Sequence, residues 1–271
     1  MARTTFQNIS YFVRWQLYPV VVALPAHAAF VMRGRGKRFG VARRADLALR
    51  TIGIHLRLEC GHLPKEVLHV LEEIVELPRE VPGAVVECGC FLGASTAKLS
   101  LAASMTGRKL IVCDSFEGLP EVGAKDHTEV KFDFVTGAYA GRLEEVSRNV
   151  RRLGRPECVE YVPGWYSESL GRLSGTPIAC AFWDVDLHDS FHDCIRGLWS
   201  GVAAGGKVFI HDIDREPVVK AFADADWWHD VVHTEPPALT GAYTGLSPLS
   251  PMIGYATKPM DLDRSASPGM A

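Results

Sequence analysis

Five short apolar runs constrain this chain more than any other feature: Ala84–Cys88, Leu110–Cys113, Cys158–Val162, Ile178–Trp183 and Lys207–Ile210. Each has the length of a buried strand. Between them lie helix-like stretches at Ala94–Ala103, Ala140–Leu153, Ser167–Leu173 and Ser190–Val202. Strands alternating with helices specify βαβ units, and hence an α/β fold with a mostly parallel sheet flanked by helices. A further helix is expected over Leu63–Leu77, where apolar residues recur at helical spacing until Pro78 and the Pro82-Gly83 pair. With 271 residues, 47% apolar and 23% charged, the chain is of globular composition, not disordered, collagen-like or coiled-coil. Its seven cysteines include no CxxC pair and no zinc-ligand spacing, which implies a reducing compartment.

The charge is unevenly spread. Residues 1–50 hold nine Lys/Arg against one acid, Asp46, while the chain as a whole carries –3. A basic head on an acidic body points to an anionic partner for the head. Tyr11–Met32 is apolar and aromatic, and Arg33–Arg38 follows it. That pattern fits a packed or oligomerising arm, a peripheral membrane anchor over 11–38, or a span. Arg14, Pro19, Pro25 and His27 are expected to cut the uninterrupted run to about a dozen residues, short of the ~20 that a span needs. No nucleic-acid reading motif accompanies the charge, so no nucleic-acid partner is expected. Residues 1–62 are therefore taken as an extension, 63–260 as the α/β domain and 261–271 as a flexible tail.

Ligands of parallel sheets bind at the carboxyl ends of the strands, so chemistry is sought just after each apolar run. After the first, Glu87-Cys-Gly-Cys-Phe-Leu-Gly93 is E-x-G-x-x-x-G. Its glycines permit a tight turn and close ligand approach, but the spacing matches neither the dinucleotide fingerprint nor a P-loop. Glu87 favours a ligand with a positive or hydroxyl-rich part, and S-adenosylmethionine has both. Asp114, 27 residues on and at the second strand end, stands where such folds hydrogen-bond ribose. After the fourth and fifth strands come Asp184, Asp186, His188, His211 and Asp212. Carboxylates converging in one cleft repel unless a cation or proton lies between them. Oxygen donors suit Mg²⁺ or Ca²⁺, and a histidine shifts the choice toward Mn²⁺, Fe²⁺ or Zn²⁺. Strand-end acids serving only as helix caps remain the alternative. The excursion Glu121–Tyr139 is expected to be a lid or an ordinary surface loop. Neither a (D/N)PP(Y/F) motif nor a G-x-S-x-G elbow is present.

The runs VPGAVVECGCFLG, CDSFEGLP, PGWYSESL, DVDLHDS and AAGGKVFIHD resemble the macrocin O-methyltransferase family over roughly Leu63–Ala223. Members are class I S-adenosylmethionine-dependent enzymes that methylate sugar hydroxyls of antibiotics. The resemblance implies a Rossmann-like domain in which Glu87, Gly89, Gly93 and Ser95 surround the methionine end of the cofactor. It places Asp114 and Ser115 at the ribose, Trp165 beside the cofactor, and Asp184 against both cofactor and metal. Asp184, His211 and Asp212 would then hold Mg²⁺ or Mn²⁺, with Asp186 as general base. Two residues depart from the pattern: His211 replaces the first Asp of an Asp-Asp pair, and His188 replaces a Tyr. A metal-free mechanism with either histidine as base stays open, and His188 joins Asp186 as a catalytic candidate. The expected acceptor is a hydroxyl of a glycosylated natural product or a glycolipid. The expected setting is the cytoplasm or the inner membrane face, with a homodimer through the arm. The competing functions are methylation of a catechol or other phenol, and a non-catalytic docking protein of the same fold.

Overall fold

The structure, a computed structural model, describes residues 10–126, 134–241 and 252–260. Strands β1 (Ala84–Cys88), β2 (Leu110–Asp114), β3 (Val159–Pro163), β4 (Ile178–Trp183) and β5 (Val202–Ile210) pair in parallel. Two further strands, β6 (Leu239–Thr240) and β7 (Gly254–Thr257), complete a seven-stranded sheet of order β3-β2-β1-β4-β5-β7-β6. β7 is antiparallel to both β5 and β6. The order reverses between β1 and β4, so their carboxyl ends open the crevice in which a ligand would sit.

Helices cover both faces, which is why the parallel strands read as continuous apolar runs. Alternation along β1 divides the core. Val85 belongs to a cluster under α3 (Pro64–Glu76) and α4 (Ala94–Thr106), with α5 (Leu143–Leu153) at its edge. Val86 and Cys88 belong to the opposite cluster, under α6 (Tyr166–Ser169), α7 (His188–Leu198) and α8 (Glu216–Ala223). Burying a Val, Leu, Ile or Phe side chain contributes about 1.5–3 kcal/mol, so each layer is held chiefly by these contacts. α4 is buried along its first three turns and is built largely from Ala, Ser and Thr, which allow its close approach to the sheet. It is bracketed by Gly93 (φ 80°) and Gly107 (φ 76°), and the latter closes the helix in the left-handed conformation.

The N-terminal segment shares the first core. Phe30, Phe39, Leu47 and Ile54 pack in one cluster with Val67 and Leu71 across the expected boundary at residue 62. α1 (Tyr18–Met32), preceded by a wider π turn over Phe12–Leu17, continues through both prolines as one 21-residue helix. Pro19 sits in the first turn of α1, where a missing N–H is tolerated. The helix thus runs unbroken through the residues that interrupt the apolar run. Part of the basic head is absorbed internally: Arg33 pairs with Glu72 at 2.7 Å, Lys37 with Glu76 at 3.0 Å, and the buried Arg44 also with Glu76. The anionic partners of those three are α3's own acids. The tail Asp261–Ala271 and part of the Glu121–Tyr139 excursion, residues 127–133, lie outside the described residues.

Candidate cofactor and acceptor site

A cleft of about 1040 Å³, counting its open mouth, lies over the carboxyl ends of β1, β2 and β4. Gly89, Ser95, Asp114, Ser115, Trp165, Asp184 and Asp186 all line it, as the sequence leads one to expect. Three of its wall residues, Phe91, Tyr139 and Asp186, adopt left-handed backbone at φ 46°, 58° and 61°. Non-glycine residues held there cost on the order of 1–3 kcal/mol and concentrate at ligand sites.

Gly89 (φ 84°) is where β1 and β4 come closest. A Cβ there would lie 1.9 Å from the carbonyl oxygen of Asp184, so only glycine lets the two strand ends meet. Asp114 is fixed by two backbone donors: Cys90 N–H to Oδ2 at 2.7 Å and Phe116 N–H to Oδ1 at 2.8 Å. An ionised carboxylate only accepts, which suits Asp114 to the hydroxyl donors of a vicinal diol. Burial raises the Asp114 pKa, against the lowering effect of those donors. Ser115 Oγ donates to Gly118 O at 3.0 Å and so shapes the following turn.

Two expected cofactor residues sit behind the wall. Glu87 is fully buried, and its Oε2 accepts from Thr96 Oγ1 at 2.6 Å while Oε1 has no partner. Burial pushes its pKa up to about 8, with Ser95 and Thr96 bonds opposing and the charges of Asp114 and Asp184 assisting. Glu87 therefore supports the first turn of α4, where Ser95 faces the cleft. Gly93 initiates that helix and is not on the wall either.

The acids after β4 and β5 do converge. Ligand atoms of Asp184, His211 and Asp212 lie within 4.8 Å of one another. His211 Nδ1 is 3.0 Å from Asp184 Oδ1 and 3.4 Å from Asp212 Oδ1, yet forms no hydrogen bond of proper direction and stays a buried atom without a partner. Its Nε2 faces Glu66 Oε2 at 3.2 Å. A carboxylate behind the far nitrogen is the usual support of a metal-binding histidine. This donor set of one imidazole and two carboxylates fits a borderline divalent ion such as Mn²⁺ better than Mg²⁺. Burial lowers the His211 pKa, but the charges of Asp184 and Asp212 outweigh it and hold the pKa well above 6.5. Burial likewise opposes Asp212, whose pKa is nevertheless lowered by His211. Asp186 goes the other way: burial, then the charges of Asp212 and Asp184, raise its pKa well above the carboxylate range.

His188 is placed elsewhere. Its Nδ1 faces Asp189 at 2.9 Å and its ring packs on His192 in a separate depression with Lys125 and Trp227. Glu66, and His62 on the wall, lie outside the strand ends where the sequence points to chemistry, and Tyr139 joins the wall from the end of the Glu121–Tyr139 excursion. Glu66 is the third residue of α3, where its side chain accepts from Leu63 N–H at 2.6 Å, and no Ser or Thr at the N-cap precedes it to signal a capping box.

The strand order, the cleft at its reversal and the acid at the end of β2 define a class I methyltransferase fold. Residues 60–234 match the family described as Macrocin-O-methyltransferase (TylF), and the chain belongs to that family. It is 35% identical over 139 residues to 8-demethyl-8-(2,3-dimethoxy-alpha-L-rhamnosyl)-tetracenomycin-C 4'-O-methyltransferase of Streptomyces olivaceus, covering 49% of this chain and 53% of the relative. It is 30% identical over 151 residues to demethyldecarbamoylnovobiocin O-methyltransferase of Streptomyces niveus, covering 53% and 58%. The chain thus spans little more than half the length of these relatives. Among solved structures, the O-methyltransferase NovP aligns with TM-score 0.57 at 22% identity over 72% of this chain and 80% of that one. The calicheamicin methyltransferase CalS11 aligns with TM-score 0.58 at 16% identity over 95% and 94%. At these identities the likeness is one of fold.

Proposed function

We propose that the chain transfers a methyl group from S-adenosylmethionine to a hydroxyl of a sugar on a small natural product. The observation that carries this reading is Asp114. It lines the cleft at the end of β2 and is locked by two backbone donors, in a chain of this family. The relatives named above are O-methyltransferases, one of them acting on a rhamnosyl-tetracenomycin, which supports a sugar acceptor.

S-adenosylmethionine would supply an activated methyl electrophile, and a divalent ion at Asp184, His211 and Asp212 would supply acidity to the acceptor hydroxyl. The chain's own part is to align that hydroxyl and take its proton. Asp186, on the cleft wall, is the proposed base. Its raised pKa means that it keeps a proton until positive charge offsets Asp184 and Asp212. Without an ion, His211, held positive between those acids, supplies part of that offset; with an ion bound it would ligate as the neutral imidazole and the ion would supply the offset instead. We give His188 no base role, because it lies outside the cleft.

The test is incubation with methyl-labelled S-adenosylmethionine and rhamnosylated aromatic acceptors, with and without Mn²⁺. Label on a sugar hydroxyl, lost in Asp186→Asn, is the expected outcome. Label on a catechol instead would assign the phenol reading, and cofactor binding without transfer to any acceptor would assign the docking-protein reading.

We also propose peripheral membrane contact at the cytoplasmic face through α1. Trp15, Tyr18, Val21, Val22 and Leu24 are exposed there, and only 22% of the helix's apolar window is buried. Arg35, Arg38 and Arg43 extend the surface with positive charge. Flotation with phosphatidylglycerol-containing liposomes at low salt should carry the protein upward. A protein that stays at the bottom as a dimer would show that the face pairs with its own copy.

A further inference from the structure

Behind the methionine side of the cleft lies a buried lysine that the mechanism above does not use. Lys98, on α4 one turn beyond Ser95, is 1% exposed. Its Nζ lies 2.8 Å from His62 Nε2, 3.4 Å from His55 Nδ1 and 3.7 Å from Cys60 Sγ. An ammonium has three donors, and these are three acceptors set around it. Desolvation lowers the pKa of both histidines, that of His55 to about 3, so they stay neutral beside the lysine. Of the three, His62 reaches the cleft, where Glu59 and Gly61 of the same segment also form the wall.

The contact with Lys98 dictates the state of His62. A neutral imidazole that accepts at Nε2 carries its proton on Nδ1. That Nδ1–H has no hydrogen-bond partner among the described residues, and His62 lines the same cleft as Gly89 and Ser95. The result is a donor on the cleft wall with a buried lysine directly behind it, whose pKa burial lowers against the opposing effects of Cys60 and Glu66. Charge-assisted bonds of this kind are roughly twice as strong as neutral ones. A buried cation is also stabilised when an anion approaches it in a medium of low dielectric.

We infer that His62, backed by Lys98, is the receptor for the α-carboxylate at the methionine end of S-adenosylmethionine, with His62 in contact and Lys98 as a positioning residue. The inference rests on the cofactor reading above. It adds which group is recognised there and by which side chains. The same pair also couples the Cys60–His62 segment to occupancy of the site.

The experiment compares S-adenosylmethionine with decarboxylated S-adenosylmethionine, which keeps the sulfonium and the amine but lacks the carboxylate. Calorimetric affinities are measured for the full chain and for Lys98→Met and His62→Phe, two substitutions that approximately preserve volume. Wild type should prefer the carboxylate-bearing ligand by about tenfold or more, and both variants should erase that preference while holding the decarboxylated ligand within about twofold. Equal discrimination in wild type and variants, or parallel loss of both ligands, overturns the inference while leaving the cofactor reading intact. A wild-type protein that binds neither ligand overturns the cofactor reading and this inference with it.

Discussion

Glu87→Gln isolates the protonation of one buried carboxyl. The folded protein holds Glu87 at a pKa of about 8 because burial penalises its charge, whereas the ordinary value is 4.5. A raised acid binds more protons folded than unfolded between those two values, so its contribution falls as pH rises. At 1.36 kcal/mol per pKa unit, the loss between pH 5 and pH 7 is about 2–3 kcal/mol. Glutamine mimics the protonated acid, since its oxygen can still accept from Thr96, and it does not titrate. Urea unfolding of the two proteins without ligand gives the test. The stability difference, variant minus wild type, should grow by about 2–3 kcal/mol from pH 5 to pH 7, whatever other groups titrate in both. A difference constant to within about 0.5 kcal/mol would refute the reasoning and mean that Glu87 ionises as if hydrated.

Gly89→Ala should cost more than about 2 kcal/mol. The left-handed backbone alone takes about 1–2, and the Cβ would be driven against Asp184's carbonyl. A drop in Tm and loss of soluble protein would show it, and an unchanged Tm would contradict the close approach. Asp114→Asn turns one carboxylate oxygen into an amide that faces a backbone donor, at a cost of about 1–3 kcal/mol in chemical unfolding, and it weakens ribose binding as well. His211→Ala leaves Glu66, Asp184 and Asp212 without their shared counter-charge, so the apo protein should lose about 3–5 kcal/mol. If the acids hold a cation, Mn²⁺ should raise the Tm of wild type more than that of Asp212→Ala, and equal shifts would contradict the donor set.

The parallel core was legible because strands covered on both faces must be apolar throughout, which makes Ala84–Cys88 and Ile178–Trp183 stand out. β6 and β7 were not legible. One is two residues long, and the other is a four-residue strand beginning with glycine beside the sheet's edge. β5 begins at Val202 rather than Lys207, because the Ala-Ala-Gly-Gly stretch that reads as a loop continues the strand around a register shift. Strand-end acids could be found because topology alone brings them together. Glu66 and Lys98 could not, because both lie on amphipathic or small-residue helices where a polar residue reads as solvent-facing or capping. The Glu66–His211 contact joins residues 145 apart in sequence. Membrane contact and ion pairing within the chain both answer a basic head, and only the contacts with Glu72 and Glu76 show that part of the charge is paired by the chain's own acids.

The most direct test is a calorimetric titration of the wild-type chain and Asp114→Asn with S-adenosylhomocysteine, the demethylated product. One site per chain that weakens at least about tenfold in the variant, consistent with the loss of a charged acceptor for ribose, is the predicted result. Absence of binding to the wild type, or equal affinity for both proteins, would contradict the assignment of this cleft.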